Sequence, residues 1–369
     1  MKRSIMFGIG RKLTATAFII LLTAVPSHLQ AQAKKQVYTN AATLYTSGKM
    51  FTTVQPFQRV DTVNYKAMPA AVKRLYTYSA GLAVCFSTNS TSITAKWCVN
   101  KPVTYPNLTP IASKGLDLYV HKNGKWQYSG VGRPDKDCSN GVLVENMDNS
   151  EKSFTLYLPI YSELSSLEIG IDSGSYIKSR PETKKRVLVY GSSITEGASA
   201  SRPGLAYPAA LSRRLGFDFI NAGVSGSAKM EPAVIAMLND VKADAYILDC
   251  IPNSSDAVVK ERALNMIKAI QAAHPGKPII MLNSIVREQS FVDAKVNAMV
   301  KAQNMAIDSI AHNLLKIKTK DFYYLDTNGF LGDDHEGSTD GIHPNDLGSF
   351  RFVEKLQPLI EPILRKYLR

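Results

Sequence analysis

Two patterns of apolar spacing divide this chain. From about residue 34 to 180, short runs rich in β-branched and aromatic residues occur at 75–78, 82–88, 92–99, 116–121, 126–129, 153–159 and 167–171, separated by Gly, Asn, Ser and Pro. The spacing predicts strands with no convincing helix among them, and strands so closely spaced predict a β-sandwich. Asn123-Gly124, between two of these runs, predicts a tight hairpin turn. From Lys184 onward, strand-like runs at 186–190, 218–222, 245–250, 278–283 and 322–326 alternate with amphipathic stretches. The clearest helical stretches are 257–273 and 291–315, and a last helix spans about 349–367. This β-α alternation predicts an α/β domain with a parallel five-stranded sheet between helices, its site at the carboxyl ends of the strands. The polar segment 179–185, which contains Pro181, is the expected boundary between residues 34–180 and 181–369.

The first 33 residues follow neither pattern. Lys2, Arg3, Arg11 and Lys12 accompany an uncharged apolar run at 13–25 and a small-x-small site, Ala31-Gln32-Ala33. This arrangement predicts a Sec-type signal peptide over 1–33. The run is short for a bilayer span and no lipobox cysteine follows it, so the expected product is periplasmic or secreted, with no membrane span in the mature chain. A chain of 369 residues exceeds one hydrophobic core, which agrees with two domains. Its formal charge of +13 becomes +9 without the four leader cations. The surplus is dispersed in short groups such as Lys184-Lys185-Arg186 without interleaved aromatics, so no nucleic-acid partner is expected.

Four cysteines, Cys85, Cys98, Cys138 and Cys250, allow three pairings. If Asn89-Ser90 turns a hairpin, Cys85 faces position 94, and Cys98 lies roughly 13 Å further along the strand, too far for a bridge. Cys85 and Cys98 stand among core-type neighbours and read as small buried hydrophobes, as does Cys250. No Cys/His spacing suggests zinc. The cluster Asp333-Asp334-His335-Glu336 reads as a solvated loop, since four consecutive residues cannot all converge on one ion, so neither a metal nor a cofactor is expected.

The candidate chemistry lies at two places. Ser193 follows the run 187–190 through Gly191, which puts a hydroxyl at a strand's carboxyl end, where the N–H groups of the next turn can face a developing oxyanion. Asp340-Gly341-Ile342-His343 precedes the last helix. A carboxylate three residues before an imidazole can hold Nδ1–H and leave Nε2 free to accept a serine proton. Position 195 is Thr, so the first segment is not a Gly-x-Ser-x-Gly elbow.

On these residues, the chain over about 184–369 resembles the SGNH (GDSL-type) hydrolase superfamily. Gly191-Ser192-Ser193-Ile194 is similar to its first block, Asn221 to Gly226 to its second, Cys250 to Ser254 to its third, and Asp340 to His343 to its last. The resemblance implies a flavodoxin-like three-layer domain, Ser193 as nucleophile, His343 as base and Asp340 as its orienting acid. It also implies an oxyanion hole formed by the N–H groups of Ser193 and Gly226 and the Asn253 amide. Ser192 stands where the family carries Asp, and Ile251-Pro252-Asn253-Ser254 lacks the family's Gly and terminal Asp, so a different supporting network is expected. Arg202-Pro203-Gly204, soon after the first block, resembles a subgroup of secreted bacterial esterases whose N-terminal β domain carries a Gly-x-Asp-Leu-Tyr motif. Gly115-Leu116-Asp117-Leu118-Tyr119 matches that motif, and 156–161 resembles a second landmark of that domain.

Arg202, Tyr207 and Lys229 are expected to line the pocket. The implied function is a serine esterase acting through an acyl-enzyme on a small-molecule or polysaccharide ester, foremost a carbohydrate O-acetyl group. The alternatives are a lipid or lysophospholipid acylhydrolase and an inactive carbohydrate-binding protein.

Overall fold

Among the described residues, ten strands of the N-terminal half pair into two antiparallel sheets, with alternation of buried and open side chains clearest along residues 93–100. The computed structural model describes residues 35–100, 103–182 and 184–368, so the expected signal peptide lies outside the described residues. In chain order the strands are β1 (Gln36–Asn40), β2 (Tyr45–Ser47), β3 (Ala83–Thr88), β4 (Ile93–Asn100), β5 (Leu116–Lys122), β6 (Lys125–Gly132), β7 (Cys138–Val144), β8 (Lys152–Tyr157), β9 (Glu163–Asp172) and β10 (Ile177–Ser179). One sheet runs β1-β9-β4-β7; the other runs β10-β3-β8-β5-β6, with β2 beside β3. Trp97 and Ile169 of the first pack against Phe86, Leu118 and Phe154 of the second, the apolar layer expected of a sandwich. Asn123 and Gly124, both at positive φ, turn β5 into β6 as their sequence predicts.

Three expectations for this half are corrected. Residues 75–78 are not a strand: helix α1 (Ala70–Tyr76) buries Val72, Leu75 and Tyr76, a helical spacing that overrides the β propensity of the aromatic pair. A second short helix, α2 (Pro110–Lys114), is capped by the Thr109 hydroxyl. Next, β3 and β4 do not form a hairpin but belong to opposite sheets, because β3 pairs with β8 and β4 with β9 and β7. Finally, Cys98 is no core thiol. It stands opposite Cys138 in the β4–β7 ladder and is disulfide-bonded to it, while Cys85 and Cys250 are free and buried.

The second half is a parallel sheet of β11 (Arg186–Gly191), β12 (Asp218–Gly223), β13 (Ala245–Asp249), β14 (Ile279–Leu282) and β15 (Phe322–Leu325), in the order β12-β11-β13-β14-β15. Its helices are α3 (Ser193–Glu196), α4 (Tyr207–Leu215), α5 (Pro232–Asn239), α6 (Asp256–Ala273), α7 (Ala294–Lys316) and α8 (Asp346–Tyr367). Alternation along β11 sends Leu188 and Tyr190 into one apolar cluster and Val187 and Val189 into another, so helices cover both faces. This is the α/β three-layer architecture expected. Strand order reverses at β11, which opens a crevice at its carboxyl end.

The expected boundary at 180/181 falls between β10 and β11, yet an apolar cluster crosses it. Val60, Tyr76, Tyr78 and Tyr161 share a core with Leu188, Tyr190 and Ile220, and Lys35–Arg369 forms one compact unit. Two motifs legible separately in the sequence meet at this junction. Asp117 accepts from Arg202 Nη1 through both carboxylate oxygens at 2.8 Å and from Gly204 N at 2.8 Å, and Tyr119 Oη accepts from Arg202 Nη1 at 2.7 Å. A Cβ on Gly204 would stand 2.5 Å from the Tyr119 ring, so the contact requires glycine.

Candidate active site

Strand register brings the first three sequence blocks to one height. Gly191, at the end of β11, is level with Gly223 of β12 on one side and Asp249 of β13 on the other. The residues that follow each strand therefore open onto the same crevice. Side chains at Gly191 and Gly223 would collide with the first turn beyond β11: a Cβ would come within 1.9 Å of Thr195 Oγ1 at the first and 2.3 Å of Glu196 N at the second. Ser192 caps α3, its hydroxyl accepting from Ile194 N, which leaves the next hydroxyl, Ser193, at the opening.

The last block comes from the far end of the chain. Asn345 caps α8 by accepting from Gly348 N at 2.9 Å, and Thr339 N donates to His343 O at 3.0 Å, so the loop between them is tightly closed. Across 150 residues, His343 Nε2 lies 2.9 Å from Ser193 Oγ. Its Nδ1 lies 2.7 Å from Asp340 Oδ2, while Asp340 Oδ1 accepts from the backbone N–H groups of Ile342 and His343. Desolvation pushes the Asp340 carboxyl up, but the His343 backbone N–H, its side chain and its charge outweigh this and hold the carboxyl below its ordinary value. Asp340 thus favours the ionised form that an imidazolium partner needs.

Asn107, from the N-terminal half, joins this pair and was not singled out in the sequence. Its amide lies 3.1 Å from Asp340 Oδ2 and 3.2 Å from His343 Nδ1. Since Nδ1 donates to Asp340, the amide donates to the same carboxylate oxygen, with a further contact to Ser199 Oγ at 3.1 Å. Tyr105 and Tyr161 from the same half line the cleft of about 330 Å³ that contains Ser193, Gly226, Asn253 and His343.

Residues 36–177 match the family model for the N-terminus of SGNH-hydrolase-type esterases, GxDLY, and residues 184–361 match that of the GDSL-like lipase/acylhydrolase family. A Bacteroides ovatus chain classed as a GDSL-like lipase is 48% identical, with a TM-score of 0.87, over 90% of this chain and 98% of that one. The chain belongs to the GDSL-like lipase/acylhydrolase family. As a member of it, the protein is a carboxylic ester hydrolase. More distant structures share the fold. They include a salicylyl-acyltransferase from a tetracycline biosynthetic pathway (18% identity, TM-score 0.71, 92% and 100% coverage). A family two carbohydrate esterase from Clostridium thermocellum, in complex with cellohexaose, is 11% identical with a TM-score of 0.56, over 78% of this chain and 93% of that one. No curated protein sequence matches the chain significantly.

Three residues expected to line the pocket of this GDSL-like hydrolase lie elsewhere. Arg202 is held by Asp117 and Tyr119 at the junction of the two halves. Tyr207 is buried, packs on Phe352 and donates to Asp249. Lys229 is exposed and outside the cleft. Sequence proximity to a motif could not separate these roles, because the partners that hold Arg202 and Tyr207, Asp117 and Asp249, come from other elements of the fold. Among the described residues, no cluster of His, Cys, Asp and Glu could hold a metal ion, and no helix is long and apolar enough to cross a membrane.

Departures from the family blocks have visible substitutes. Asp249 Oδ2 accepts from Thr195 Oγ1 at 2.8 Å and from Tyr207 Oη at 2.9 Å, and its carbonyl accepts from Ser192 N, so a carboxylate from β13 braces the turn in which Ser192 replaces Asp. Burial pushes the Asp249 carboxyl up to about 6, with the two hydroxyl donors acting in the opposite sense. The folded chain therefore keeps a proton that the unfolded chain releases near pH ~4. Stability from the neutral acid is complete below that value and declines as pH rises through about 6. Asp249→Asn, which stays neutral, is expected to flatten this decline in urea titrations between pH 4 and 7. An unchanged slope would assign the decline to other groups.

Proposed function

We propose that Ser193 is the nucleophile of a two-step acyl transfer, with His343 as general base and then acid, and Asp340 as the group that orients the imidazole. The observation carrying this reading is the continuous chain Ser193 Oγ to His343 Nε2 to Asp340, at 2.9 Å and 2.7 Å. Ser193 Oγ attacks the ester carbonyl as its proton passes to Nε2. The imidazolium then protonates the departing alcohol, and water, deprotonated by the same nitrogen, releases the acid.

The oxyanion falls to the N–H groups of Ser193 and Gly226 and the Asn253 amide. Gly226 sits at φ +67, where glycine carries no steric penalty. Asn253 Oδ1 accepts from Ala228 N at 3.3 Å, which commits the oxygen to the backbone and keeps the amide nitrogen for a ligand.

The substrate class we favour is a short-chain acyl ester on a carbohydrate, foremost an O-acetyl group. A cleft of about 330 Å³ suits a small acyl group. Tyr105, Tyr161 and Asn107 are among its lining residues, a mixture of aromatic surface and polar amide that supports a sugar ester as ligand. Secretion, expected from residues 1–33, fits the same substrate class. Acetate release from acetylated xylan, mannan, pectin and sialosides tests it. Failure on all four, together with turnover of long-chain acyl esters, would replace it with the lipid acylhydrolase reading.

A further inference from the structure

Arg287 has no acidic partner among the described residues, although it is half-buried at the catalytic cleft. It follows β14, at the carboxyl side of the sheet, and lines the cleft with Ser193, Gly226, Asn253 and His343. Its Nη2 donates to Pro252 O at 2.9 Å, which anchors the guanidinium. Among the described residues no carboxylate forms an ion pair with it. Two other arginines withdrawn from solvent have one, Arg59 with Glu196 and Arg202 with Asp117, while the partly buried Arg213 lies instead over the rings of Tyr119 and Tyr157. The adjacent carboxylate, Glu288, turns away to His335 Nδ1 at 2.8 Å. Burial lowers the Arg287 pKa from its ordinary value. A desolvated, unpaired charge costs stability, and such groups are retained where a ligand completes them.

The third block agrees with this reading. Pro252, in that block, supplies the anchoring carbonyl, and the block's own polar side chains, Asn253 and Ser254, carry no charge to pair with the guanidinium. Arg287 also borders a second groove of about 440 Å³, in which Phe291 stacks on His335 at 4.0 Å between ring centroids. The guanidinium thus stands between the cleft that holds Ser193 and this groove.

We propose that Arg287 receives a carboxylate on the alcohol portion of the substrate, so that the preferred ester is an acylated uronic acid. This rests on the carbohydrate esterase reading above. A guanidinium offers five N–H donors in a planar fork, and the Pro252 carbonyl takes one, leaving donors for bidentate carboxylate binding.

The test compares kcat/KM on an O-acetylated methyl galacturonoside and on its uncharged 6-methyl ester. The native enzyme is expected to favour the acid by about 10- to 100-fold, chiefly through KM, as a charge-assisted bidentate contact implies. Arg287→Gln should bring that ratio to near one, with Arg287→Lys between. Equal rates on the two esters in the native enzyme would overturn the proposal, as would a ratio that survives Arg287→Gln. A second measurement separates this failure from that of the underlying reading. Unacetylated methyl galacturonoside should inhibit p-nitrophenyl acetate hydrolysis competitively, methyl galactoside should not, and Arg287→Gln should remove the difference. Inhibition without cleavage of either glycoside would leave the carboxylate site standing and overturn the carbohydrate esterase reading. Cleavage of both at equal rates, without selective inhibition, would do the reverse.

Discussion

Replacing Ser193 by alanine is expected to lower kcat on p-nitrophenyl acetate by on the order of 10⁴ to 10⁶ while leaving the thermal unfolding curve nearly in place. The magnitude follows from removing a nucleophile that no neighbour can replace in a serine triad. The small structural effect follows from the local geometry. The cap of α3 is made by Ser192, and the side-chain hydrogen bond of Ser193 runs to His343, which stays anchored by Asp340. A fluorophosphonate probe gives an independent reading, since labelling should vanish in Ser193→Ala and persist in Ser192→Ala. Retained turnover in a well-folded Ser193→Ala protein would exclude the triad as proposed.

Removing the Glu196 carboxylate is expected to cost about 3–5 kcal/mol of folding stability, the range seen when one member of a buried ion pair is deleted. Glu196 and Arg59 are both fully buried and paired at 3.0 Å. Burial pushes the Glu196 carboxyl up, with Arg59 and the Ser225 donors acting in the opposite sense. Arg59 also donates to the carbonyls of Leu75, Tyr78, Asn221 and Gly223, so it joins the N-terminal half to the end of β12. Glu196→Ala leaves that guanidinium buried without its counter-charge. The same carboxylate accepts from Ser225 N and Oγ at 2.8 and 2.6 Å, one residue before Gly226, so turnover should fall along with stability. Urea unfolding of Glu196→Ala, Arg59→Leu and the double variant measures the coupling. The double variant should be more stable than the sum of the single losses implies. Simple additivity would show that the two charges do not act as a pair.

Much of the site was legible because its parts follow local rules. Ser193 comes just after an apolar run, and a parallel sheet delivers such positions to the carboxyl ends of its strands, whereas Asn221 to Gly226 and Cys250 to Ser254 were legible through the resemblance to the family. Asp340 and His343 interact across three residues, within reach of spacing alone. Glu196 stood three residues after Ser193 and Arg287 soon after a predicted strand, yet neither position distinguishes a functional charge from a solvated one. Arg202 and Tyr207 erred in the other direction, because their nearness to the first block concealed contacts with Asp117 and Asp249. The Cys98–Cys138 bridge stayed hidden for a related reason. It depends on β4 pairing with β7, whereas the turn at 89–90 suggested pairing with β3.

The sequence by itself determined the two kinds of layer, the parallel sheet and the local motifs at Ser193 and at Asp340 to His343, since these rest on periodicity and on residues a few positions apart, while the resemblance to the family supplied the blocks around Gly226 and Asn253. Tertiary structure alone decided that loops from the N-terminal half complete the crevice. Asn107 reaches Asp340 across 233 residues, Arg59 reaches Glu196 across 137, and Tyr105 and Tyr161 line the cleft. Such contacts depend on how two sheets and a three-layer domain pack together, and the spacing of residues along one element carries no record of that packing.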